Sequence, residues 1–300
     1  MVDFGIHLTS IPDREAGQSP RDLLDQHRRW LHEGEGALSS AWVSDHLQSG
    51  DRPLLEGWTT LTYLAALAPS YRVGHLVLAQ GFRNPALLSR MAATLQHLTH
   101  GRFVLGLGAG WREEEYAAYD YPFPSAGTRI EALGETIDLI RAMWTSSPAT
   151  YAGTHYRVTE ANTLPLPEPA PMILIGGQGP KLMALAAAKA DMWVWDMPLE
   201  VYRVPYERLV RACEEIGRDI SEIRLVCETD VNFPSDPADF PEPYWSGYQD
   251  FMSTPLGPTP EDAIAQLTPM IELGVAEVIL GFEDFPTLEL FVDQVVPAFR

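Results

Sequence analysis

Apolar positions along the chain fall into two alternating kinds of segment. Short, nearly continuous apolar runs occupy residues 4–8, 40–47, 73–79, 103–107, 171–175, 191–196, 223–229 and 275–282. Runs of that kind are buried on both faces, as strands of a parallel sheet are. Between them, apolar residues recur every three or four positions. Leu23, Leu24, Trp30 and Leu31 share one helical face, as do Leu87, Leu88, Met91, Leu95 and Leu98. Further helices are predicted over 58–67, 128–144, 181–189, 201–216, 260–274 and 287–299. Ser19-Pro20 with Asp22, and Thr259-Pro260 with Asp262, each set a capping hydroxyl before a proline and an acid three residues on. Thr128 with Glu131 reads as a capping box.

Eight strands, each followed by a helix, in 300 residues predict an α/β fold: a single (β/α)8 TIM barrel spanning 1–300, with an open doubly wound sheet as the alternative. Two segments exceed the repeat. An insertion after the fourth strand carries an aromatic, proline-rich loop (119–127) and a possible hairpin (151–158). A long loop after the seventh strand covers 232–257, and a loop of that length in a compact domain is usually functional.

The fourth strand breaks the pattern. In GRFVLGLGAGW (101–111), Phe103, Leu105 and Leu107 lie on one face, while the other carries Val104, Gly106, Gly108 and Gly110. Glycines weaken a strand, so they need a reason. Either another segment approaches closely or a flat ligand lies against bare backbone.

Charge narrows the partners. Lys and Arg total 21 against 41 Asp and Glu, a net charge of −20. Such a surface repels nucleic acid and anionic lipid, and any phosphate-bearing cofactor needs a local donor site. The two cysteines, Cys213 and Cys227, make no disulfide framework or metal motif. With no signal-peptide pattern and no apolar stretch near ~20 residues, a cytoplasmic protein is expected.

A barrel of this kind places its chemistry at the C-terminal ends of its strands. The polar residues predicted there are Asp45 and His46, Gln80 and Arg83, Asp196, Glu228 and Asp230, and Glu283 and Asp284. No HxH or HExxH pattern occurs, so no metal site is expected. A histidine at a strand end can move a proton near neutral pH. The run GGQGP (176–180) between a strand and a helix reads as an anion cradle, with Lys181 beside it. It is not a Walker A sequence, and GLGAG (106–110) is not a dinucleotide fingerprint. The run Glu113–Glu115 reads most simply as a solvated helix start.

WVSDH (42–46), RNP (83–85), GRFVLGLGAGW (101–111), IGG (175–177) and GPTPE (257–261) occur in that order. Together they resemble the bacterial luciferase-like monooxygenase superfamily, most closely its coenzyme F420-dependent oxidoreductase branch. The resemblance covers the whole chain. It implies a (β/α)8 barrel that binds the deazaflavin F420 and transfers hydride to or from a small organic substrate. Asp45 and His46 would sit at the deazaflavin ring, with His46 catalytic. Leu78, Ala79, Ala109 and Gly110 would line the ring, and Gly177, Gln178 and Gly179 would hold the phosphate. A non-prolyl cis peptide would fall within 75–78, and the 232–257 loop would be a substrate lid. The resemblance also implies a homodimer. Trp111, Tyr119, Tyr121 and Phe123 are read as an apolar substrate wall, with ordinary packing of a long loop as the alternative. Two departures matter. Relatives that oxidise sugar phosphates carry Glu where this chain has Trp111, which puts that substrate class in doubt. FMN luciferases tend to have Glu-His-His where this chain has Ser44-Asp45-His46, which favours F420 over FMN. A two-component FMN-dependent monooxygenase and a non-catalytic flavin-binding protein are the alternatives.

Overall fold

The computed structural model describes residues 2–13, 16–241, 244–245 and 252–300. Its first units are β1 (Asp3–His7) with α1 (Pro20–Glu33), β2 (Ser40–Val43) with α2 (Gly57–Leu67), and a broken third strand, β3 (Arg72–His75) and β4 (Leu78–Ala79), with α3 (Pro85–Leu98). After β5 (Phe103–Gly108) come α4 (Glu113–Ala118), α5 (Ala126–Thr145) and a hairpin of β6 (Ala149–Ala152) and β7 (Arg157–Ala161). Then follow β8 (Met172–Gly176) with α6 (Pro180–Lys189), β9 (Met192–Asp196) with α7 (Leu199–Ile216), and β10 (Arg224–Val231). β11 (Tyr244–Trp245) pairs with β12 (Met252–Ser253) ahead of α8 (Pro260–Glu272), β13 (Glu277–Phe282) and α9 (Phe285–Leu290).

The large sheet runs β3-β2-β1-β13-β10-β9-β8-β5-β4, and β3 also pairs with β5, setting Val73 opposite Phe103. That pairing closes the predicted barrel of eight parallel strand positions. Where the sequence pattern suggested one strand over 73–79, the backbone leaves the ladder after His75 and returns at Leu78. The Leu76–Val77 peptide between them is cis, inside the predicted window. The helix predicted to open at Thr128 begins two residues earlier, at Ala126, because the Ser125 side chain accepts from the Thr128 amide and takes the cap. The predicted hairpin is present. Of the 232–257 loop, residues 242–243 and 246–251 lie outside the described residues, so the lid reading falls partly on residues the structure does not describe.

Alternate strand residues point inward and meet in a buried plug of Trp42, Val104, Leu174, Met192, Val194, Val226 and Ile279, with Leu76 at its top. Trp42 fills the middle, and its size explains Gly74 on the neighbouring strand, where a Cβ would fall 2.4 Å from the indole. Outward residues pack against the helices in a second, larger core. At the N-terminal rim the Glu277 carboxylate, fully buried, accepts from Ser40 Oγ (2.5 Å), from Arg72, and from Arg224 Nε (3.3 Å). Asp3 pairs with Arg224 at 2.5 Å. This network ties five strands together at the end away from the site.

Candidate active site

A cavity of about 460 Å³ opens at the C-terminal mouth of the barrel. Most of the predicted residues meet there: Asp45, His46, Leu78, Ala79, Ala109, Gly110, Trp111 and Gly177 line it, while Gln178 and Gly179 lie beyond its wall, at the start of α6. Tyr121 and Phe123 are not in the lining. They pack on Tyr116, Tyr121 also on Phe82, and Tyr119 donates to the Leu47 carbonyl at 2.9 Å. Ordinary loop packing therefore accounts for these aromatics.

The glycines of β5 serve the cis bond. A Cβ on Gly106 would fall 1.8 Å from the His75 carbonyl oxygen, and one on Gly108 would fall 2.8 Å from Val77. Close backbone approach thus explains Gly106 outright. The Leu76–Val77 bulge fills that part of the slot expected to be bare and presents Leu76, Val77 and Leu78 to the cavity. Gly108, Ala109 and Gly110 still line the cavity, with Val77 and Tyr116 packed close against the two glycines.

Asp45 lines the cavity, but its carboxylate turns away from it. Both oxygens accept from Arg83 (2.7 and 2.8 Å), and Oδ2 also accepts from the Ala79 amide at 3.1 Å. Arg83 reaches Glu56 at 2.6 Å, and Glu56 caps α2 by accepting from the Trp58 and Thr59 amides. Burial opposes the charge on Arg83, but Asp45 and Glu56 outweigh it and raise its pKa. Asp45 therefore pins β4, just past the cis bond, to the end of β2.

His46 lines the same cavity. Its Nδ1 lies 2.9 Å from Glu115 Oε1, and Glu115 is 2% exposed. A carboxylate only accepts, so Nδ1 carries the proton and Nε2 is left as the imidazole's second site. Arg112 Nη1 reaches the same Glu115 oxygen at 3.3 Å and stacks on Trp111, whose ring meets His46 edge-on at 6.2 Å. The solvated reading of the glutamate run is thus corrected for its last member. Glu113 and Glu114 are exposed, but the third turns under the helix with Tyr116. The sequence signal was slight: in a six-residue helix, only the position beside the buried aromatic can face inward.

A second histidine was missed. His7, at the end of β1, lines the same cavity, with Nδ1 3.1 Å from Glu228 and Nε2 2.8 Å from Ser44 Oγ. Burial works to lower its pKa, but the Glu228 hydrogen bond and charge, with Asp230 beyond, win and raise it. Its signal was a histidine closing the first apolar run, masked by the apolar residues around it. Asp196, Glu228 and Asp230 line the far wall, as their places at strand ends predicted. Glu283 and Asp284 do not reach this cavity: Glu283 accepts from Asn232, and Asp284 caps α9. No cluster of three or more metal-ligating side chains occurs among the described residues. No helix among them is long and apolar enough to cross a membrane.

A profile described as luciferase-like monooxygenase matches residues 3–278. An F420-dependent glucose-6-phosphate dehydrogenase of Amycolatopsis mediterranei is 25% identical, over 94% of this chain and 95% of its own. One from Nocardia farcinica is 30% identical, over 73% of this chain and 66% of its own. Two solved structures share the fold across the whole chain. An F420-dependent secondary alcohol dehydrogenase in complex with an F420-acetone adduct has a TM-score of 0.80 at 20% identity, covering 100% of this chain and 99% of its own. The F420-dependent tetrahydromethanopterin reductase of Methanopyrus kandleri has 0.81 at 17%, with the same coverage.

Proposed function

Because the chain belongs to the luciferase-like monooxygenase family, we propose that it is an F420-dependent oxidoreductase acting on a small organic substrate at this cavity. The observation that carries the reading is the joining, in one cavity, of an apolar shelf of Leu76, Val77 and Leu78, a floor of Gly108, Ala109 and Gly110, and a carboxylate-oriented histidine. The names of the relatives supply the deazaflavin.

The residues present fit such a group. The cavity volume lies in the usual range for small-molecule sites, roughly 300–1,000 Å³. Leu76, Val77 and Leu78 with Ala109 and Gly110 offer a flat apolar bed for a ring. Gly177 has φ 129°, and no atom lies within 4 Å of where a Cβ on Gly179 would stand. Gly179 caps α6 with no side-chain bond, so the first amides of that helix face open space. Arg208 donates to the Gln178 carbonyl at 3.3 Å, a cation beside the cradle. That local charge answers the global −20 for a phosphate held by Gly177, Gln178 and Gly179.

When bound, the deazaflavin supplies a two-electron hydride acceptor or donor. The chain's own residues do the rest. His46, oriented by Glu115, takes the substrate proton on Nε2 or returns it. Asp45 and Arg83 hold the shelf in place, and Trp111 borders the substrate space and keeps water from it.

Titration of the protein with F420 and, separately, with FMN tests the reading, followed by absorbance of the retained chromophore. Retention of F420 at micromolar levels is expected. Retention of FMN with oxygen consumption would replace the reading by a two-component monooxygenase, and retention of neither would overturn it. Homodimer formation belongs to the same proposal. Tyr63, Leu67, Leu87 and Leu98, 40–65% exposed along α2 and α3, support it, and light scattering tests it.

A further inference from the structure

The wall opposite the shelf says what kind of substrate the cavity takes. Among the described residues five acidic residues line the cavity, Asp196, Glu228 and Asp230 on that wall and Asp45 and Glu115 elsewhere. Arg83 neutralises Asp45, Arg112 and His46 hold Glu115, and His7 holds Glu228. Among the described residues no cation stands within ion-pair distance of the Asp196 carboxyl, although it faces the cavity from the end of β9. Burial first, then the charges of Glu228 and Asp230, raise its pKa strongly. Among the described residues Arg112 is the one guanidinium in the lining, it is committed to Glu115 and Trp111, and no lysine joins it. Trp111 adds an indole to the same lining, with the Arg112 guanidinium already over its ring. Carboxylates in such a lining recognise organic cations through charge. A dianionic phosphate would meet like charge there.

We propose that the substrate is an amine, bound as its ammonium at Asp196 and Glu228 and dehydrogenated to the iminium, or formed from it in the reverse direction. This rests on the F420 reading and departs from the sugar phosphates of the named relatives. The balance closes. The ammonium gives its N–H proton to His46 Nε2. The Cα–H bond then breaks with its electron pair leaving as hydride to the oxidised deazaflavin, and the nitrogen lone pair forms the C=N bond. Substrate and product each carry one positive charge, so the same carboxylates hold both. An oxidised alcohol would end as a neutral ketone, with nothing for the wall to pair. Asp196 gives up its proton when the cation arrives, so binding releases protons to buffer.

Isothermal titration calorimetry of the protein alone and of the F420-loaded protein, with cyclohexylammonium, cyclohexanol and cyclohexyl phosphate at pH 7, tests this. Expected is at least tenfold tighter binding of the ammonium than of the alcohol, the phosphate weakest, and proton release on comparing two buffers. Asp196→Asn and Glu228→Gln should each weaken the ammonium at least tenfold and leave cyclohexanol within twofold. Cyclohexanol serves in both variants as the check that the cavity is intact. Equal affinity for alcohol and ammonium, preference for the phosphate, or variants that leave the ammonium unchanged would overturn the proposal. If the protein binds no F420 yet still selects the ammonium, the cofactor reading fails and the cation site stands. If F420 binds and the selectivity is absent, the reverse holds.

Discussion

His46 and Glu115 carry the sharpest expectation at the scale of single residues. General acid–base groups typically contribute about 10²–10⁴-fold in rate. His46→Ala should therefore cost about that much in kcat while the F420 dissociation constant, read from chromophore retention, stays within a few-fold. Glu115→Gln keeps the shape and loses the charge that fixes the imidazole tautomer. A loss of about tenfold or more is expected, with its pH profile displaced, because an amide can present either a donor or an acceptor to Nδ1. An unchanged pH profile in Glu115→Gln would show that the carboxylate does not orient the base. Asp45-His46 was legible in the sequence because a charged pair ending an apolar strand stands out. What each member does was not, since that depends on Arg83, 38 positions away, and on Glu115, 69 positions away.

Among the elements, the third strand is the one the pattern misread, and the reason is physical. An apolar run gives no sign of leaving its ladder when every residue stays buried. The break at Leu76–Val77 shows only in its neighbour, where Gly106 and Gly108 make room for it. Resemblance, not periodicity, placed the cis bond. Gly106→Ala is expected to be the most damaging methyl that can be added to this strand: its Cβ would overlap the His75 carbonyl at 1.8 Å, backbone against backbone. Overpacking costs about 1–3 kcal/mol, occasionally more, and this contact cannot relax by a side-chain rotation. Urea unfolding should show at least that loss. Stability equal to the parent would mean the bulge moves freely. The start of α5 was misplaced for a simpler reason: Ser125 and Thr128 are both competent caps three residues apart, and only the packing chooses.

At the level of the whole molecule, the eightfold alternation was fully legible, because burial on both faces and helical periodicity are local signals that repeat. The division of labour between the two barrel ends was not. Glu277, with Ser40, Arg72 and Arg224, closes the N-terminal rim, while the carboxylates of the mouth stand around the cavity. Removing one partner of a buried ion network strands the others, at about 3–5 kcal/mol. Glu277→Ala should lose that much by urea unfolding, and any folded fraction should bind F420 normally.

The pH dependence of stability follows from two buried histidines that do not line the cavity. His75 is fully buried, stacked on Trp58 at 5.0 Å with Phe103 edge-on at 6.0 Å. Burial first, then the Arg83 charge, pushes its pKa from 6.5 down to about 3. Burial likewise takes His27 from 6.5 down to about 4, with the charge of His7 adding to it. For both, the unfolded chain takes up a proton at a pH where the folded chain does not. Stability is therefore whole above pH 6.5 and drains as pH falls through the window between 6.5 and the folded values. At pH 5 the deficit is about 2 kcal/mol for each histidine, from 1.36 kcal/mol per unit. His7 and Asp196, both raised, act in the opposite sense and offset part of it. The comparison that isolates the effect is His75→Phe, which keeps an aromatic ring between Trp58 and Phe103. Between pH 7 and pH 5 its urea midpoint should fall by less than the parent's, by about 2 kcal/mol in free energy. Parallel curves for parent and variant would place the acid sensitivity elsewhere.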